Sequence, residues 1–542
     1  MRSYAQLSQE ETSSVWIRSS LRIYYLTAIV CCGGVLFGYD SGVIGGVLTF
    51  PSFMNSFNYT PSQQTKVSSI AVGIQQAGAL IGSLLIFPLT TRKGRRTALK
   101  ASSALFCLGV LFEVVNSRSL VAFYTGRIIC GLGIGGSATV IPIYLSEMSP
   151  THMRARLGSC YQFTFTIGIL VSYWIDYGMQ FAPDIPLQWQ VPLALQLVPG
   201  ALMGLGMLTL PESVRWLLGK GRTAAAWESL RWVRGVSSSA GPNEDSPIHD
   251  EFTAMKTAVE SDRRATDGFR LAELLQGSNA RRIALAATMF LAQQSTGATA
   301  MAYFGPQFFG LLVGEGDRAL TLLLTGFFGA IKVLSCGTFI LFVADRFGRR
   351  PLLISGALGM AVCMTCTAFL VQGMAPPPDA SPHISTSAEA ETASSGVSPT
   401  GIATVLLIYL AIIIYNLSWG PLPWPCSAEL FTTRLREPGV AVSVAAQWLS
   451  NFVWSFSTPY VLAGIGWATF LLFGVLDAAF SGFVWVFLPE TAGLSLEEIE
   501  GLFRGEDGEG EGDEESALFR VGDEGDEENE VLVPKNGDIR SR

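Results

Sequence analysis

Charge is what this sequence has least of. Of its 542 residues only 15% are Asp, Glu, Lys or Arg, against 49% apolar ones, whereas a soluble domain carries about 25% charged residues. A soluble chain of this length would be several domains, each needing its own charged surface. The deficit therefore excludes a soluble enzyme, a nucleic-acid binder and a secreted scaffold. Histidine is scarcer still: His152, His249 and His383 are the full set, and all fall in predicted loops, so no His-based metal site is expected. The nine cysteines all lie in apolar stretches, where they act as small apolar side chains and imply no disulfide framework. Cys363-x-x-Cys366 has no second pair and no nearby His, so it predicts neither a metal nor a redox centre. A cleaved leader is not expected either, because the apolar stretch after the polar first 22 residues is too long for a signal-peptide core.

What the sequence has in excess is long apolar runs. Twelve of them approach or exceed the ~20 residues that cross a bilayer: about 23–48, 67–90, 97–115, 119–144, 157–178, 191–210, 282–312, 319–343, 351–373, 401–425, 438–462 and 466–488. The expected fold is an all-α membrane protein with twelve transmembrane helices. Its domains are a cytoplasmic N-terminus (1–22), a six-helix bundle (23–210), a cytoplasmic loop with short amphipathic helices (211–281), a second six-helix bundle (282–488) and a cytoplasmic tail (489–542). The Pro/Ser/Thr/Ala-rich stretch 375–400 is expected to be a flexible external loop.

The net charge of −8 is the sum of two unlike parts. Residues 489–542 hold 18 acidic and 5 basic side chains, Gly-interrupted and poor in aromatics, the pattern of a disordered acidic tail. The rest of the chain is basic, and its Lys and Arg are placed asymmetrically. With the N-terminus inside, cytoplasmic segments carry 31 of the 36, and external loops keep only Lys66, Arg118 and Arg318. The positive-inside rule then puts both termini in the cytoplasm. The Asn58-x-Thr60 sequon falls in the first external loop, a glycosylation candidate weakened by Pro61.

The chain also repeats itself. Gly94-Arg95-Arg96 returns as Gly348-Arg349-Arg350, Glu147 and Arg154 return as Glu429 and Arg436, and Pro211-Glu212-Ser213 returns as Pro489-Glu490-Thr491. Three matches in order indicate a duplicated six-plus-six plan, which is a transporter architecture. Within the spans, Asp40, Arg127 and Lys332 are charges in apolar surroundings, each costing at least ~2.5 kcal/mol unless paired or wet. Lys332 lies about thirteen residues, or about 20 Å of helix, from Asp345. It therefore needs an anionic partner, a watery cavity or a bond to helix carbonyls. Gly131-x-Gly133-x-x-Gly136 matches a dinucleotide fingerprint but has no preceding strand, so it reads as helix packing.

Seven stretches name a family: Gly33–Gly46 (GGVLFGYDSGVIGG), Gly126–Gly136 (GRIICGLGIGG), Pro142–Arg156 (PIYLSEMSPTHMRAR), Pro211–Leu217 (PESVRWL), Gln293-Gln294, Asp345–Arg350 (DRFGRR) and Pro489–Ile499 (PETAGLSLEEI). From about residue 30 to 503 the chain resembles a sugar porter of the major facilitator superfamily. The run Arg436–Phe452 is most similar to fungal permeases for hexoses, polyols or quinate. There are departures. Val214 stands where the family's PESPRWL has Pro, Thr299 where sugar porters usually carry Asn, and Lys332 near a position where many relatives have Asn.

The resemblance implies roles. Asp40 becomes the proton acceptor and Arg127 the residue that sets its affinity, with a purely structural ion pair as the alternative. Gln162, Gln293, Gln294, Thr299, Lys332, Trp424, Gln447 and Asn451 become substrate-binding residues, with interhelical bonding as the alternative; Tyr303, Phe304 and Phe308 become packing or gating aromatics. Arg95, Glu147, Arg154, Glu212, Arg349, Glu429 and Arg436 become an inner salt-bridge cluster that closes the cytoplasmic side. Glu147 and Arg154, two helical turns apart in sequence, are expected on one helix face. The implied activity is proton-coupled symport of a monosaccharide or a related polyhydroxylated solute, a quinate-like acid standing level with a hexose. A proton-independent uniporter and a non-transporting nutrient sensor are the competing readings. The partners are the solute, the proton and the bilayer. No catalysis, cofactor, metal or nucleic acid is expected, and the unit is a monomer in the plasma membrane.

Overall fold

The computed structural model describes residues 2–115, 118–150, 153–235, 247–266, 268, 270–313, 317–344, 346–374, 399–432 and 434–491, without the side chains of residues 2–18, 154–156, 247, 271, 313, 374 and 437. Expectations for loop residues 375–398, for the tail from residue 492 and for the Arg154 side chain lie outside the described residues. The first part of the chain forms α1 (Arg2–Val47), α2 (Pro51–Phe57), α3 (Gln64–Lys93), α4 (Arg95–Val114), α5 (Leu120–Met148), α6 (Arg154–Met179), α7 (Leu187–Leu195) and α8 (Leu197–Gly206). Short helices α9 (Val214–Gly219), α10 (Thr223–Val233) and α11 (Pro247–Thr266) follow. The last part forms α12 (Gly277–Ser295), α13 (Ala298–Val313), α14 (Arg318–Thr338), α15 (Arg349–Met374), α16 (Pro399–Leu417), α17 (Pro423–Glu429), α18 (Arg436–Ile465) and α19 (Ala468–Phe487).

Among the described residues, eight continuous helical segments are long and apolar enough to cross a membrane by length and composition. The other four expected runs are helical but differ from uninterrupted apolar rods. The run at 191–210 is divided into α7 and α8 at Gln196. The run at 282–312 breaks between α12 and α13, where Gly297 takes φ +82°, a conformation that favours glycine. Helices α6 and α18 carry the polar residues Gln162, Gln447 and Asn451. One further expected rod, 401–425, is also broken: α16 stops at Leu417 and α17 restarts at Pro423. The segment before residue 23, expected only to be polar, continues α1 as helix from Arg2.

Close helix approach, made possible by small residues, shapes the first half. In a membrane the hydrophobic effect does not drive helix pairing, so packing contacts must do so. Gly34, Gly38, Gly42 and Gly46 recur every four residues on α1 and meet Tyr161, Phe165, Ser172 and Asp176 of α6. The fingerprint-like glycines of α5 do the same work: Gly131 and Gly135 meet carbonyls of α3, and Gly133 meets one of α4. A Cβ on Gly38 would stand 1.9 Å from the Phe165 carbonyl oxygen, whereas one on Gly178 of α6 would meet nothing within 4 Å. Gly38→Leu is therefore expected to cost about 3 kcal/mol or more, beyond ordinary overpacking because backbone cannot step aside. Gly178→Ala should be nearly neutral. Size-exclusion profiles and melting of the detergent-purified variants check both, and a Gly38→Leu carrier that melts like wild type would refute the packing.

The halves meet where α3 runs along α18, where α6 runs along α14, and where α1 touches α13. Among the short helices expected within 211–281 are α10 and α11, and Arg234 binds Glu251 with Nε–Oε2 at 2.9 Å. Arg434, before α18, makes two hydrogen bonds to Glu273 at 2.9 and 3.0 Å. The Arg434 bonds hold the Glu273 carboxyl below its ordinary pKa, so the connector stays tied to the second half at neutral pH.

Candidate functional site

The two charges singled out in the first bundle meet. Arg127 Nη1 lies 2.8 Å from Asp40 Oδ1, with both side chains at 1% exposure or less. Arg127 also donates from Nε to the Ala71 carbonyl at 3.0 Å and from Nη2 to Gln75 Oε1. Gln75 turns its Nε2 to Asp40 Oδ2, so one amide bridges acid and base. A third charge, not anticipated, completes the group. Glu113 of α4 is fully buried, its Oε1 is 3.7 Å from the same Arg127 Nη1, and among the described residues neither of its oxygens accepts a hydrogen bond.

All eight residues assigned to substrate line one cavity of about 70 Å³: Gln162, Gln293, Gln294, Thr299, Lys332, Trp424, Gln447 and Asn451. The helix breaks are what expose polar atoms there. Gln293 Nε2 holds the carbonyls of Trp419 and Gly420, in the gap between α16 and α17, at 3.1 and 2.8 Å. Its Oε1, with Gln294 Oε1 and Gln447 Oε1, has no hydrogen-bond partner. Three buried amide oxygens left open are costly, and hydroxyl donors of a guest would satisfy them. Trp424 stacks edge-on against Phe290 at 5.1 Å, fixing an apolar wall. Lys332 is buried on α14, lines the same cavity and has its Nζ 5.8 Å above the Phe165 ring. It forms no ion pair among the described residues.

Tyr303, expected to pack or gate, is a hydrogen-bond hub. Its hydroxyl is reached by Asn451 Nδ2 at 3.3 Å from the second half and by Gln76 Nε2 at 3.0 Å from the first. Because Gln76 follows Gln75, α3 touches the acid–base pair with one side chain and the cavity wall with the next. Beside Tyr303, Phe304 leaves helical geometry (φ −121°, ψ 27°), kinking α13 two residues before Pro306. Phe308 is core, packed edge-on against Phe470 at 5.6 Å.

The repeated motifs resolve into two matching clusters. Arg95 clasps Glu147 with two hydrogen bonds of 3.0 and 2.9 Å, and Ser213 Oγ donates to the same carboxylate. In the second half Arg349 reaches Glu429 at 3.2 Å, and Thr491 Oγ1 donates to it at 2.8 Å. Glu212 makes no ion pair among the described residues. Its Oε1 accepts the backbone N–H groups of Arg95 and Arg96, at 2.8 and 3.0 Å, a carboxylate capping the N-terminus of α4 where the helix dipole favours it. Glu490, absent from the expected set, caps α15 in the same way through the N–H groups of Arg349 and Arg350. A Cβ on Gly94 would lie 2.3 Å from Glu212 Oε2 and one on Gly348 2.5 Å from Glu490 Oε2, so both capping carboxylates need glycine beside them.

The geometry also corrects an expectation. Glu147 and Arg154 do not share a helix face: Glu147 ends α5, and Arg154 begins α6 after the turn at Ser149-Pro150. Glu429 and Arg436 are divided likewise between α17 and α18, and Arg436 Nε and Nη2 are buried without a hydrogen-bond partner among the described residues. Asn58 is exposed in left-handed geometry at the end of α2.

Sequence reasoning missed Glu113, Gln75, Gln76 and Glu490. Glu113 was visible by the rule that found Asp40, a charge inside an apolar run. Glu490 was visible as the repeat of Glu212.

Unwound helix at a buried cavity, presenting side-chain amides to a guest, defines a solute carrier of the membrane. The family described as "Sugar (and other) transporter" matches residues 26–503, and the chain belongs to that family. It is 33% identical over 490 residues to the quinate permease of Emericella nidulans, covering 89% of this chain and 88% of the relative. A probable quinate permease of Neosartorya fischeri is also 33% identical, with coverages of 89% and 87%. Among solved structures, the proton:xylose symporter XylE bound to 6-bromo-6-deoxy-D-glucose superposes with TM-score 0.71 at 27% identity, covering 90% of this chain and all of that one. The inward-open xylose transporter XylE from E. coli gives TM-score 0.69 at 26% identity, with coverages of 89% and 99%.

Proposed function

We propose that the protein is a proton-coupled symporter of a small polyhydroxylated acid, a quinate-like solute, working by alternating access between two six-helix bundles, 23–210 and 282–488. In this reading both termini face the cytoplasm, the carrier is a monomer of the plasma membrane, and Asn58 is a glycosylation site in the first external loop. The observation that carries the substrate class is Lys332. A buried ammonium with no acidic neighbour is unfavourable in a membrane, and here it faces a cavity whose amides are short of hydroxyl donors. A polyol bearing a carboxylate supplies both deficits at once: its hydroxyls serve Gln293, Gln294 and Gln447, and its charge serves Lys332. The quinate permeases among the relatives support that choice, and the proton:xylose symporter among the solved structures supports proton coupling.

The test is a pair of probes, quinate and D-xylose, taken up by proteoliposomes under an inward pH gradient. Lys332→Asn is expected to weaken quinate uptake about 10- to 100-fold, the equivalent of one charge-assisted hydrogen bond, and to change xylose uptake far less. Equal loss for both probes, or uptake of the neutral sugar alone, would remove the acid from the reading.

A further inference from the structure

The acid–base group beside the cavity contains two carboxylates and one guanidinium, all buried. With every group ionised it would carry a net negative charge inside the membrane, which the low dielectric makes costly. Two carboxylates crowded into one site resolve this by sharing a proton. The structure shows which of them is unserved. Asp40 receives Arg127 Nη1 on one oxygen and Gln75 Nε2 on the other. Glu113 receives no hydrogen bond on either. The remaining polar groups that face Glu113 are the Cys130 thiol and the Gln196 amide, and both Gln196 polar atoms are themselves unpartnered.

Position along the helices sets a direction. Glu113 is the next-to-last residue of α4. Next to it, the Val114 carbonyl accepts Gln190 Nε2 at 2.7 Å, and Phe123 and Trp189 both pack on Phe53 and Phe57. Asp40 lies seven residues before the end of α1, about 10 Å of helix from that end. Arg127 stands between them, its Nη1 at 2.8 Å from one acid and 3.7 Å from the other.

We propose that Glu113 is a second proton-binding carboxylate, the outer partner that stores a proton and passes it to Asp40 when Arg127 changes hands. The inference rests on the proton-coupled reading above. At rest Glu113 is the acid, Asp40 the carboxylate and Arg127 its counter-ion. In the transfer the Glu113 O–H bond breaks, an O–H bond forms on Asp40, and Arg127 moves to the Glu113 carboxylate, so the group stays neutral throughout. After the carrier turns, the proton on Asp40 leaves to the inside and Arg127 returns to it; a proton from the outer medium then restores Glu113, so Arg127 faces a carboxylate at every step. One external proton is consumed per cycle. Without Glu113, protonating Asp40 would strand the Arg127 charge in a dry interior, which is where the second acid matters.

The experiment compares wild type and Glu113→Gln in proteoliposomes with quinate and D-xylose as probes. One assay is accumulation driven by a pH gradient, and the other is equilibrium exchange without a gradient. Gradient-driven accumulation should fall about tenfold more than exchange does in the variant, and Glu113→Asp should recover part of it. A second readout is the infrared absorption of protonated carboxyl groups. It should lose one component in Glu113→Gln, and the same component in Asp40→Asn, where Glu113 ionises to pair with Arg127; buried Asp176 and Asp477 are common to all three proteins. Accumulation that follows the pH gradient equally in wild type and Glu113→Gln overturns the role. An unchanged infrared band overturns it as well, even if the variant transports poorly. Wild type that accumulates neither probe refutes the coupled reading itself, and this inference with it.

Discussion

Asp40→Asn is expected to reduce gradient-driven accumulation to equilibration, with inside and outside concentrations differing by a factor of about one. A pH gradient of one unit carries about 1.4 kcal/mol, enough for about tenfold accumulation in wild type. The amide keeps the shape of the carboxylate and can still bond Gln75, but it binds no proton in the working range, so substrate flux loses its driving partner. Breaking a buried ion pair by removing one charge usually costs 3–5 kcal/mol. Here the loss is smaller, because Glu113 lies 3.7 Å from the same guanidinium nitrogen and can ionise to take it over. The variant should therefore fold and exchange substrate across the membrane without net accumulation. Accumulation and counterflow measured on the same proteoliposomes check this, and pH-driven accumulation at the wild-type level in Asp40→Asn would sink the role of Asp40.

The coupling route also has a visible carrier. Gln75 and Gln76 are adjacent on α3, and one holds the Asp40–Arg127 pair while the other holds Tyr303 Oη. Tyr303 also takes Asn451 Nδ2 in the cavity and sits next to the Phe304 kink of α13. A change in the Asp40–Arg127 pairing thus has a path of two hydrogen-bonded side chains to the helix that walls the cavity, with no need for motion of the whole bundle to carry it.

How much of this was legible beforehand follows from the physics of each feature. Charges in apolar runs are costly wherever they stand, so Asp40, Arg127 and Lys332 could be picked out one at a time. Their pairing could not, because residues 40 and 127 are joined only by tertiary packing. The eight cavity residues were found because amides in a membrane interior have few innocent uses, and motif similarity ordered them. The helix breaks at Gly297 and between Leu417 and Pro423 were missed, since hydropathy averages over a turn and does not register one glycine in left-handed geometry. Glu113 was passed over although the cost of burying it is the same as for Asp40. The matching clusters were legible as repeated letters, but not as chemistry. Glu147 and Arg154 looked like partners at two-turn spacing, and Pro150 between them had already ended the helix. The capping work of Glu212 and Glu490 emerges only when distant chain segments bring a carboxylate to a helix start.

Those two clusters are expected to differ in strength, and this gives the second large effect. Both join the start of one helix, the end of another and the segment after the last helix of a half. In the first half Arg95 and Glu147 are 13% and 11% exposed and make two hydrogen bonds. In the second half Arg349 and Glu429 are 23% and 27% exposed and make one, at 3.2 Å. A charged bond that is better shielded from water and doubled in number is stronger, and exposed pairs contribute only ~0–1 kcal/mol. Glu147→Gln should therefore cost about 1.5–3 kcal/mol, while Glu429→Gln should cost less than about 1 kcal/mol. In the proposed orientation, the expected consequence is a carrier whose cytoplasmic end loosens on the first-half side, so that inward-open states gain population and turnover slows, while the cavity residues keep their affinity for substrate. With the native cysteines replaced, a single cysteine placed at the C-terminal end of α5 should become more reactive to a thiol reagent in Glu147→Gln, and scarcely so in Glu429→Gln. Equal reactivity in both variants, or a larger change with Glu429→Gln, would show that the two clusters are interchangeable in strength. The difference in burial would then have no part in setting which half yields first.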